Sequence, residues 1–221
     1  MSLVGIIPAK SQSQGLLGKN LTMVGGKPLV QWTIEACLNS CTSTYVTTDD
    51  AEIAKIADDL GAYVIERPGH LCAPDVHAVH TVLHAIDHLD FPKSMTIGMF
   101  QPTSPFRDAE DIIAAEKLLE DPFSSVIGVV RGCPLNSLRE LKTNGALLRY
   151  SQLPMPGYEV QRQDVPLAYF VNGSIYISKV EQLVKNKSFH KGIAAAYVMS
   201  KMKSIDINDT DDLVMAKALL S

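Results

Sequence analysis

The chain has 221 residues, of which 46% are hydrophobic and 20% charged, so it can bury a sizeable core and is not a disordered chain. Its net charge is −4 and its Lys and Arg residues are scattered, which excludes a basic face for nucleic acid and leaves only small anions, held by local cations, as ligands. No apolar run approaches the ~20 residues of a membrane span. Residues 1–3 lead straight into an apolar run without a targeting segment, which predicts a cytoplasmic protein with no membrane partner.

The first predicted element is a short apolar strand over residues 4–8, followed by a polar loop. That loop contains Gly15 and Gly18, and it carries lysines at Lys10 and Lys19. Glycine lets backbone N–H groups approach an anion closely, and lysine adds a point charge, so the loop is typical of a phosphate cradle. It matches neither G-x-x-x-x-G-K-[ST] nor G-x-G-x-x-G, so an ordinary strand-to-helix loop stays open as an alternative.

From there to residue 130 apolar strands alternate with amphipathic segments. Helices are predicted over residues 28–39, 51–60, 76–89 and 108–120, and strands over residues 44–48, 63–65, 95–100 and 125–130. This rhythm predicts an α/β fold with a doubly wound, mostly parallel sheet.

The rhythm breaks between about residues 135 and 170, where prolines and glycines are frequent and residues 147–150 resemble part of a hairpin. We interpret this stretch as an inserted arm that serves dimerisation, with a plain long loop as the alternative. Beyond it, strands are predicted at 174–177, 197–199 and 204–207, and helices at 180–185 and 211–220, the last capped by Thr210. The whole chain, residues 1–221, is interpreted as one domain.

Four cysteines are present, and none forms a C-x-x-C pair. They are Cys37, Cys41, Cys72 and Cys133. In a chain without an evident signal peptide we expect all four to be reduced.

Polar residues stand where the predicted strands end. Lys10, Asp49, Gln101 and Asp206 would therefore meet at one rim, since ligands of open α/β sheets bind outside the carboxyl ends of the strands. Two lysines suit a phosphate chain, and two carboxylates suit a hard divalent ion, so a nucleoside triphosphate with Mg²⁺ satisfies both. The alternatives are that Asp49 is only a helix cap and that Asp206 only decorates a turn.

Two further groups of residues have competing interpretations. His77, His80, His84 and His88 recur three and four apart, but they share the polar side of the predicted helix, which favours a solvated or partly functional face over a zinc site. Arg162 lies in the inserted arm, where it either pairs with a substrate carboxylate or is simply exposed.

An ordered series of short motifs resembles that of the CMP-nonulosonate synthetases, the cytidylyltransferases that activate sialic acid and its relatives. The motifs are Ile6-Ile7-Pro8-Ala9-Lys10, Gly18-Lys19-Asn20, Gly25-Gly26-Lys27-Pro28-Leu29, Thr47-Thr48-Asp49-Asp50, Arg67-Pro68, Gln101-Pro102-Thr103-Ser104-Pro105 with Arg107, Arg162-Gln163, Asn172-Gly173-Ser174 and Ile205-Asp206-Ile207. Each is weak alone, and the order across nearly the whole chain is what makes the resemblance specific.

The resemblance implies that the anomeric hydroxyl of a 2-keto sugar acid attacks the α-phosphate of CTP and that pyrophosphate leaves. It assigns nucleotide binding to Lys10, Ser13, Gly15, Lys19, Asn20 and Arg67. It assigns the sugar acid to Gln101, Arg162, Gln163 and Tyr176. Lys19 and Asp206 become the catalytic pair, and Asp206 with Asn208 the Mg²⁺ site. It further implies a homodimer whose inserted arm reaches the partner's site.

The chain departs from the family pattern inside the implied site. Lys10 replaces the usual arginine, Gln14 a lysine, and Asn208 a second aspartate, for which Asp209 is a possible substitute. Phe170 stands where many sialate-specific members carry arginine, and residues 76–79 replace small hydroxyl residues. These changes point to an altered sugar, weaker metal dependence or reduced activity.

Three hypotheses follow from these observations. The leading one is a Mg²⁺-dependent cytidylyltransferase for a nonulosonic acid. The second is a nucleotide- or sugar-binding homologue without turnover, motivated by Lys10, Gln14 and Asn208. The third is a nucleotidyltransferase that uses another NTP or a sugar phosphate.

Overall fold

A seven-stranded sheet forms the centre of the computed structural model, which describes residues 3–11, 16–132, 139–141, 147–149 and 168–220, with the backbone alone for 139–141 and 147–149. The strands that build it are β1 (Leu3–Pro8), β4 (Ser43–Thr48), β5 (Tyr63–Glu66), β6 (Thr96–Met99), β7 (Ser125–Gly132), β10 (Ala168–Lys179) and β11 (Ala194–Met199). Their order is β11-β7-β10-β6-β1-β4-β5, and only β10 runs antiparallel to its neighbours. The predicted doubly wound, mostly parallel sheet is confirmed.

Two small sheets accompany the central one. Strands β2 (Met23–Val24) and β3 (Lys27–Pro28) form a hairpin ahead of the first helix. Strands β8 (Arg139–Leu141) and β9 (Leu147–Arg149) pair antiparallel, as the hairpin prediction for residues 147–150 requires. The other residues of the predicted arm, up to the start of β10, lie outside the described part of the chain.

Six α-helices pack around the sheet. They are α1 (Leu29–Leu38), α2 (Ala51–Leu60), α3 (Ala78–His88), α4 (Ala109–Glu116), α5 (Val180–Asn186) and α6 (Thr210–Leu219). All lie where the periodicity predicts, although α3 begins two residues later and α4 ends four residues earlier than expected.

The core has two halves because side chains alternate across each strand. Leu3 and Ile7 of β1 pack with α1, α2 and α4, while Val4 and Ile6 pack with α3 and α5. All four side chains are buried, so β1 lies in the middle of the fold with both faces covered. Its carboxyl end is therefore held rigidly where the polar loop begins.

The predicted last strand at residues 204–207 is wrong. Residues 202–204 form a 3₁₀ turn, and the next residues extend without joining the sheet. The Ile207 N–H donates to the Thr103 carbonyl at 2.8 Å, and the Ile207 side chain fills a small core cluster with α6. Burial against α6 thus explains the apolar side chain at Ile207. The bond to Thr103 places the neighbouring Asp206 beside the loop that follows β6.

Two helix caps also differ from the predictions by one residue. Asp50, not Asp49, accepts the N–H bonds that begin α2. Asp209, not Thr210, caps α6, in a capping box with Asp212. Asp49 is consequently free for another contact, and Asp209 is occupied as a cap.

Candidate functional site

Lys19 and Asp206 lie close together although almost the whole chain separates them. Lys19 begins a 3₁₀ turn over Lys19–Leu21, and its ammonium donates to the Ile207 carbonyl at 2.8 Å. Its side chain is buried, and this burial lowers its pKa against the opposing effect of Asp206 and Asp212. Among the described residues its ammonium has one acceptor, a neutral carbonyl, so it retains donors for an anionic ligand.

The Asp206 carboxylate has one engaged and one unengaged oxygen. Its Oδ2 accepts a hydrogen bond from Asn208 Nδ2 at 2.9 Å. Its Oδ1 is buried and has no hydrogen-bond partner among the described residues. A buried polar atom without a partner is costly, so this oxygen is available to a ligand.

Gly173 lies beside both Gln101 and Asp206. It lies in β10 with φ of +75°, and a Cβ there would be 3.5 Å from Gln101 Oε1 and 3.6 Å from Asp206 Oδ2. The chain therefore leaves a narrow space between the amide and the carboxylate. We call Lys19, Gln101, Gly173, Asp206 and Asn208 the Asp206 cluster.

Arg107 holds the strand ends that carry this cluster. It is fully buried, and its guanidinium donates to the Ser174 carbonyl and the Thr33 hydroxyl, both at 2.8 Å. A longer bond of 3.4 Å reaches the Gln101 carbonyl. Arg107 thus positions the backbone around Gln101.

A second group of polar residues surrounds the ends of β1 and β4. Asp49 accepts from the Ser11 N–H at 2.8 Å and from the Ser11 hydroxyl at 2.6 Å. Partial burial alone would raise the pKa of Asp49, but the bonds from Ser11 outweigh it and the pKa is lowered. Asp49 therefore fixes the start of the polar loop as a carboxylate.

Lys10 and Arg67 belong to this second group. Lys10 Nζ lies 3.4 Å from the carbonyl oxygens of Cys72 and Ala73, and Arg67 Nη2 donates to the Thr47 carbonyl at 2.8 Å. Arg67 is buried, which lowers its pKa, and its Nε has no partner among the described residues. Both cations are thus tied to the backbone beside the loop and keep donors that no described residue engages.

Asn20 connects the two groups. Its side chain is buried and donates to the Lys10 carbonyl at 2.9 Å, while the preceding residue, Lys19, reaches Ile207. One 3₁₀ turn therefore spans from the end of β1 to the segment that carries Asp206. A chain of phosphates lying across this turn would meet cations on both sides.

A cavity of about 380 Å³ adjoins the Asp206 cluster. Gln101 and Tyr176 form part of its wall, and so do His77 and His80 from the start of α3. Burial raises the pKa of the Tyr176 hydroxyl, and Asp206 raises it further. A cavity of this size suits a small polar ligand placed next to the Asp206 carboxylate.

The donor set around Asp206 fits a hard divalent ion that shares its coordination with a ligand. Mg²⁺ is commonly held by one or two carboxylates together with substrate phosphates and waters. Asp206 Oδ1 is the free oxygen that such a site needs. Within the described ranges, no three His, Cys, Asp or Glu side chains converge to hold an ion without help.

The structure thus brings together eight of the sequence-predicted residues in two adjoining groups and their cavity. Ser13, Gly15, Arg162 and Gln163, together with the departure at Gln14, lie outside the described residues. Cys37, Cys41 and Cys72 are free thiols, as expected, and Cys133 also lies outside the described part.

Sequence reasoning missed the residues that complete the cavity from the other side. His190 packs edge-on against Tyr176, with ring centroids 5.7 Å apart, and Lys187 joins it in the wall. Both follow α5, and no local signal in the sequence indicates that this segment returns to Tyr176. The antiparallel course of β10, which places α5 beside α3, brings them there.

Known proteins resemble this chain over most of its length. The model of the family described as Cytidylyltransferase matches residues 4–195. The chain is 32% identical over 219 residues to the N-acylneuraminate cytidylyltransferase of Escherichia coli O18:K1:H7, covering 97% of this chain and 51% of that protein. It is 31% identical over 231 residues to the CMP-N,N'-diacetyllegionaminic acid synthase of Legionella pneumophila, covering 100% and 97%. It therefore spans about half the length of the first relative and nearly all of the second.

A solved structure resembles the fold as a whole. The CMP:2-keto-3-deoxy-manno-octonic acid synthetase in complex with CTP superposes with a TM-score of 0.71 at 17% identity, over 100% of this chain and 98% of that one. No helix within the described residues combines the length and the apolar character needed to cross a membrane.

Proposed function

Because the chain belongs to the cytidylyltransferase family, we propose that it transfers CMP from CTP to the anomeric hydroxyl of a nonulosonic, sialic acid-like 2-keto sugar acid and releases pyrophosphate. The two named relatives are CMP-sugar acid synthetases of this kind. The bond from the α-phosphorus to the bridging oxygen breaks as the bond to the anomeric oxygen forms, and the hydroxyl proton is lost.

The observation that carries the proposal is the pairing of a buried ammonium with an unpartnered carboxylate oxygen. Lys19 Nζ binds the carbonyl of Ile207, the residue next to Asp206, and Asp206 Oδ1 is buried with no partner in the part of the chain that the structure describes. A triphosphate needs a cation at its oxygens, and its accompanying ion needs a carboxylate. We therefore assign Lys19 and Asp206 as the catalytic residues, with Lys19 neutralising charge on the phosphates.

The nucleotide lies, in this proposal, along the loop after β1. Asn20 holds the backbone at the start of this loop through its bond to the Lys10 carbonyl. The cations Lys10 and Arg67 lie next to it and keep donors that no described residue engages. Ser13 and Gly15, which the family resemblance assigns to the triphosphate, complete it.

The sugar acid occupies the cavity on the other side of Asp206. Gln101 and Tyr176 line that cavity, and Gln101 lies beside Asp206 across Gly173. The acceptor hydroxyl would thus reach the nucleotide's phosphates from the cavity. Arg162 and Gln163 are added by the resemblance.

We assign Mg²⁺ to Asp206 Oδ1, with Asn208 as a neutral second ligand. When bound, the ion supplies charge neutralisation at the triphosphate oxygens. Asp206 holds its own orientation through the bond from Asn208 and leaves Oδ1 for the ion.

One observation favours a second candidate, a binding protein with little or no turnover. The Asn208 amide donates to Asp206 Oδ2 and thereby occupies this oxygen. An aspartate at position 208 could not donate such a bond, so Asp206 Oδ2 would stay available to a metal. A weak metal site would retain nucleotide and sugar affinity while slowing transfer.

We further propose a cytoplasmic homodimer. Free thiols at Cys37, Cys41 and Cys72 suit a reducing compartment. Tyr169 and Val171, at the start of β10, are about half exposed and offer apolar surface to a partner. Light scattering on the purified chain would reveal a mass of twice 24.1 kDa.

The test is incubation of the protein with each NTP and a panel of 2-keto sugar acids, reading pyrophosphate and the nucleotide-sugar product. Release with CTP and a nonulosonic acid is expected. Release only with GTP or UTP would contradict the cytidine assignment. No release with any pair, together with measurable CTP binding, would favour the binding protein.

A further inference from the structure

The cavity beside Asp206 has an unusual charge composition. Among the described residues that line it, four side chains carry or can gain a positive charge and none is a carboxylate. They are His77, His80, Lys187 and His190, which we call the cationic rim. All four are exposed to solvent, so they surround the open side of the cavity, while Tyr176 and Phe189 form its buried wall.

The rim is built from elements that are distant in sequence. His77 and His80 come from the start of α3, and Lys187 and His190 from the segment after α5. Lys187 adopts a left-handed backbone with φ of +51°, which ends α5 and turns the chain back toward Tyr176. His190 is then held against the Tyr176 ring. The two halves of the rim therefore face each other across one space.

The other titratable groups around this space are few. Tyr176 faces it from β10, and Asp206 acts on Tyr176 from the segment after residues 202–204. Met99 and Gln101, at the end of β6, are not ionisable. The rim thus surrounds a cavity that adjoins the proposed ion ligand through Tyr176 and Gln101.

We infer that the cationic rim holds the carboxylate of the acceptor and makes acceptor binding, but not CTP binding, dependent on pH. The inference rests on the proposed function, because it places the acid group of that acceptor. A histidine side chain gains a positive charge as the pH falls, whereas a sugar-acid carboxylate stays ionised. The acceptor therefore binds more tightly as the pH falls from about 8 to about 6.

This placement competes with a carboxylate pair at Arg162. Arginine stays charged at every relevant pH, so an acceptor anchored only there would bind equally well across this range. The pH dependence of acceptor binding consequently distinguishes the two anchors.

The first experiment measures binding without nucleotide. The probes are N-acetylneuraminate and 2-keto-3-deoxy-manno-octonate, each compared with its neutral methyl ester, and the readout is the NMR signal of the histidine rings. We expect the acids to shift the signals of His77, His80 and His190 and to bind about tenfold more tightly than the esters, the factor of one charge-assisted hydrogen bond. The signal of His88, outside the cavity on the same helix, should not move.

The second experiment measures KM for acceptor and for CTP at about pH 6 and about pH 8. The acceptor KM should rise with pH in the wild type and in the control variant His88→Asn. In the double variant His77→Asn/His80→Asn the rise should shrink, and Lys187→Gln should raise the acceptor KM at both pH values. The KM for CTP should stay constant throughout.

Each outcome decides the inference. Equal affinity for the acids and their esters overturns the inference. A preference for the acids that Arg162→Gln abolishes and that the variants of the cationic rim retain overturns it as well. Failure of both acids to bind also overturns it. Acid binding at the rim without pyrophosphate release from any NTP would refute the proposed function and leave the rim standing. Turnover with CTP together with a pH-independent acceptor KM would refute the role of the rim and leave the proposed function standing.

Discussion

Replacing Asn208 by aspartate should make the protein less stable without Mg²⁺ and more responsive to it. In the wild type, the amide nitrogen of Asn208 donates to Asp206 Oδ2 at 2.9 Å. A carboxylate at the same place turns this attraction into a repulsion between two negative charges. The same change creates a pair of carboxylates beside the free Asp206 Oδ1.

The size of the effect follows from the separation and the solvent exposure. Two unit charges 4 Å apart interact by about 1 kcal/mol in water and about 4 kcal/mol at the effective dielectric of a protein surface. Asn208 is exposed and Asp206 half-buried, so we expect the lower part of this range, about 1–2 kcal/mol. For a domain of this size that corresponds to a fall in Tm of roughly 2–8 °C.

The assay compares thermal unfolding in EDTA and in Mg²⁺, followed by Mg²⁺ titration of pyrophosphate release. Asn208→Asp should lose stability in EDTA, regain it with Mg²⁺, and reach half-maximal rate at about tenfold less Mg²⁺, as expected for an added charged ligand. Asn208→Ala is the matched control, because it removes the amide and adds no charge. Identical Mg²⁺ titrations for both variants and the wild type would refute the two-carboxylate reasoning.

Three other substitutions test the remaining contacts. Asp206→Asn should lower kcat by about 10²–10³-fold, since a neutral amide cannot replace a charge-stabilising group, and an unchanged rate would make Asp206 a turn residue. Ser11→Ala should raise the pKa of Asp49, as followed by carboxyl NMR, because it removes a hydrogen bond to the charged form. The charged Asp49 side chain stabilises the fold above its unfolded pKa, and this stabilisation is lost as the pH falls through its lowered folded pKa. Ser11→Ala should therefore lose the stabilisation at a higher pH than the wild type. Identical acid unfolding of the two proteins would contradict this expectation. Lys203→Met should cost about 1–3 kcal/mol in urea unfolding by leaving the buried Asp111 carboxylate without its cation, and a loss below about 0.5 kcal/mol would show that the Lys203 contact with Asp111 is not needed.

Local patterns in the sequence determined most of the secondary structure. The helical period of α2 and the glycine that ends it at Gly61 are visible in the sequence, and the structure confirms both. The alternation of strands and helices up to β7 was sufficient to predict the parallel part of the sheet. These features depend on side chains a few residues apart, which any short segment already contains.

The same local information failed where two patterns overlap. Ile205-Asp206-Ile207 alternates like a strand, but Ile207 is buried against α6 and its N–H binds a loop carbonyl. Likewise, two adjacent aspartates both fitted the cap of α2, and only the tertiary structure shows Asp50 as the cap and Asp49 bound to Ser11.

The sequence alone therefore determined which polar residues lie at the ends of the strands, because hydrophobic periodicity and the positions of glycines locate the strand ends and loops. Only the tertiary structure decided which of them meet. Lys19 reaches Ile207, and His190 reaches Tyr176, because the order and direction of strands bring remote segments together. That order is set by the burial of both sheet faces across the whole chain, a property that no short stretch of sequence contains.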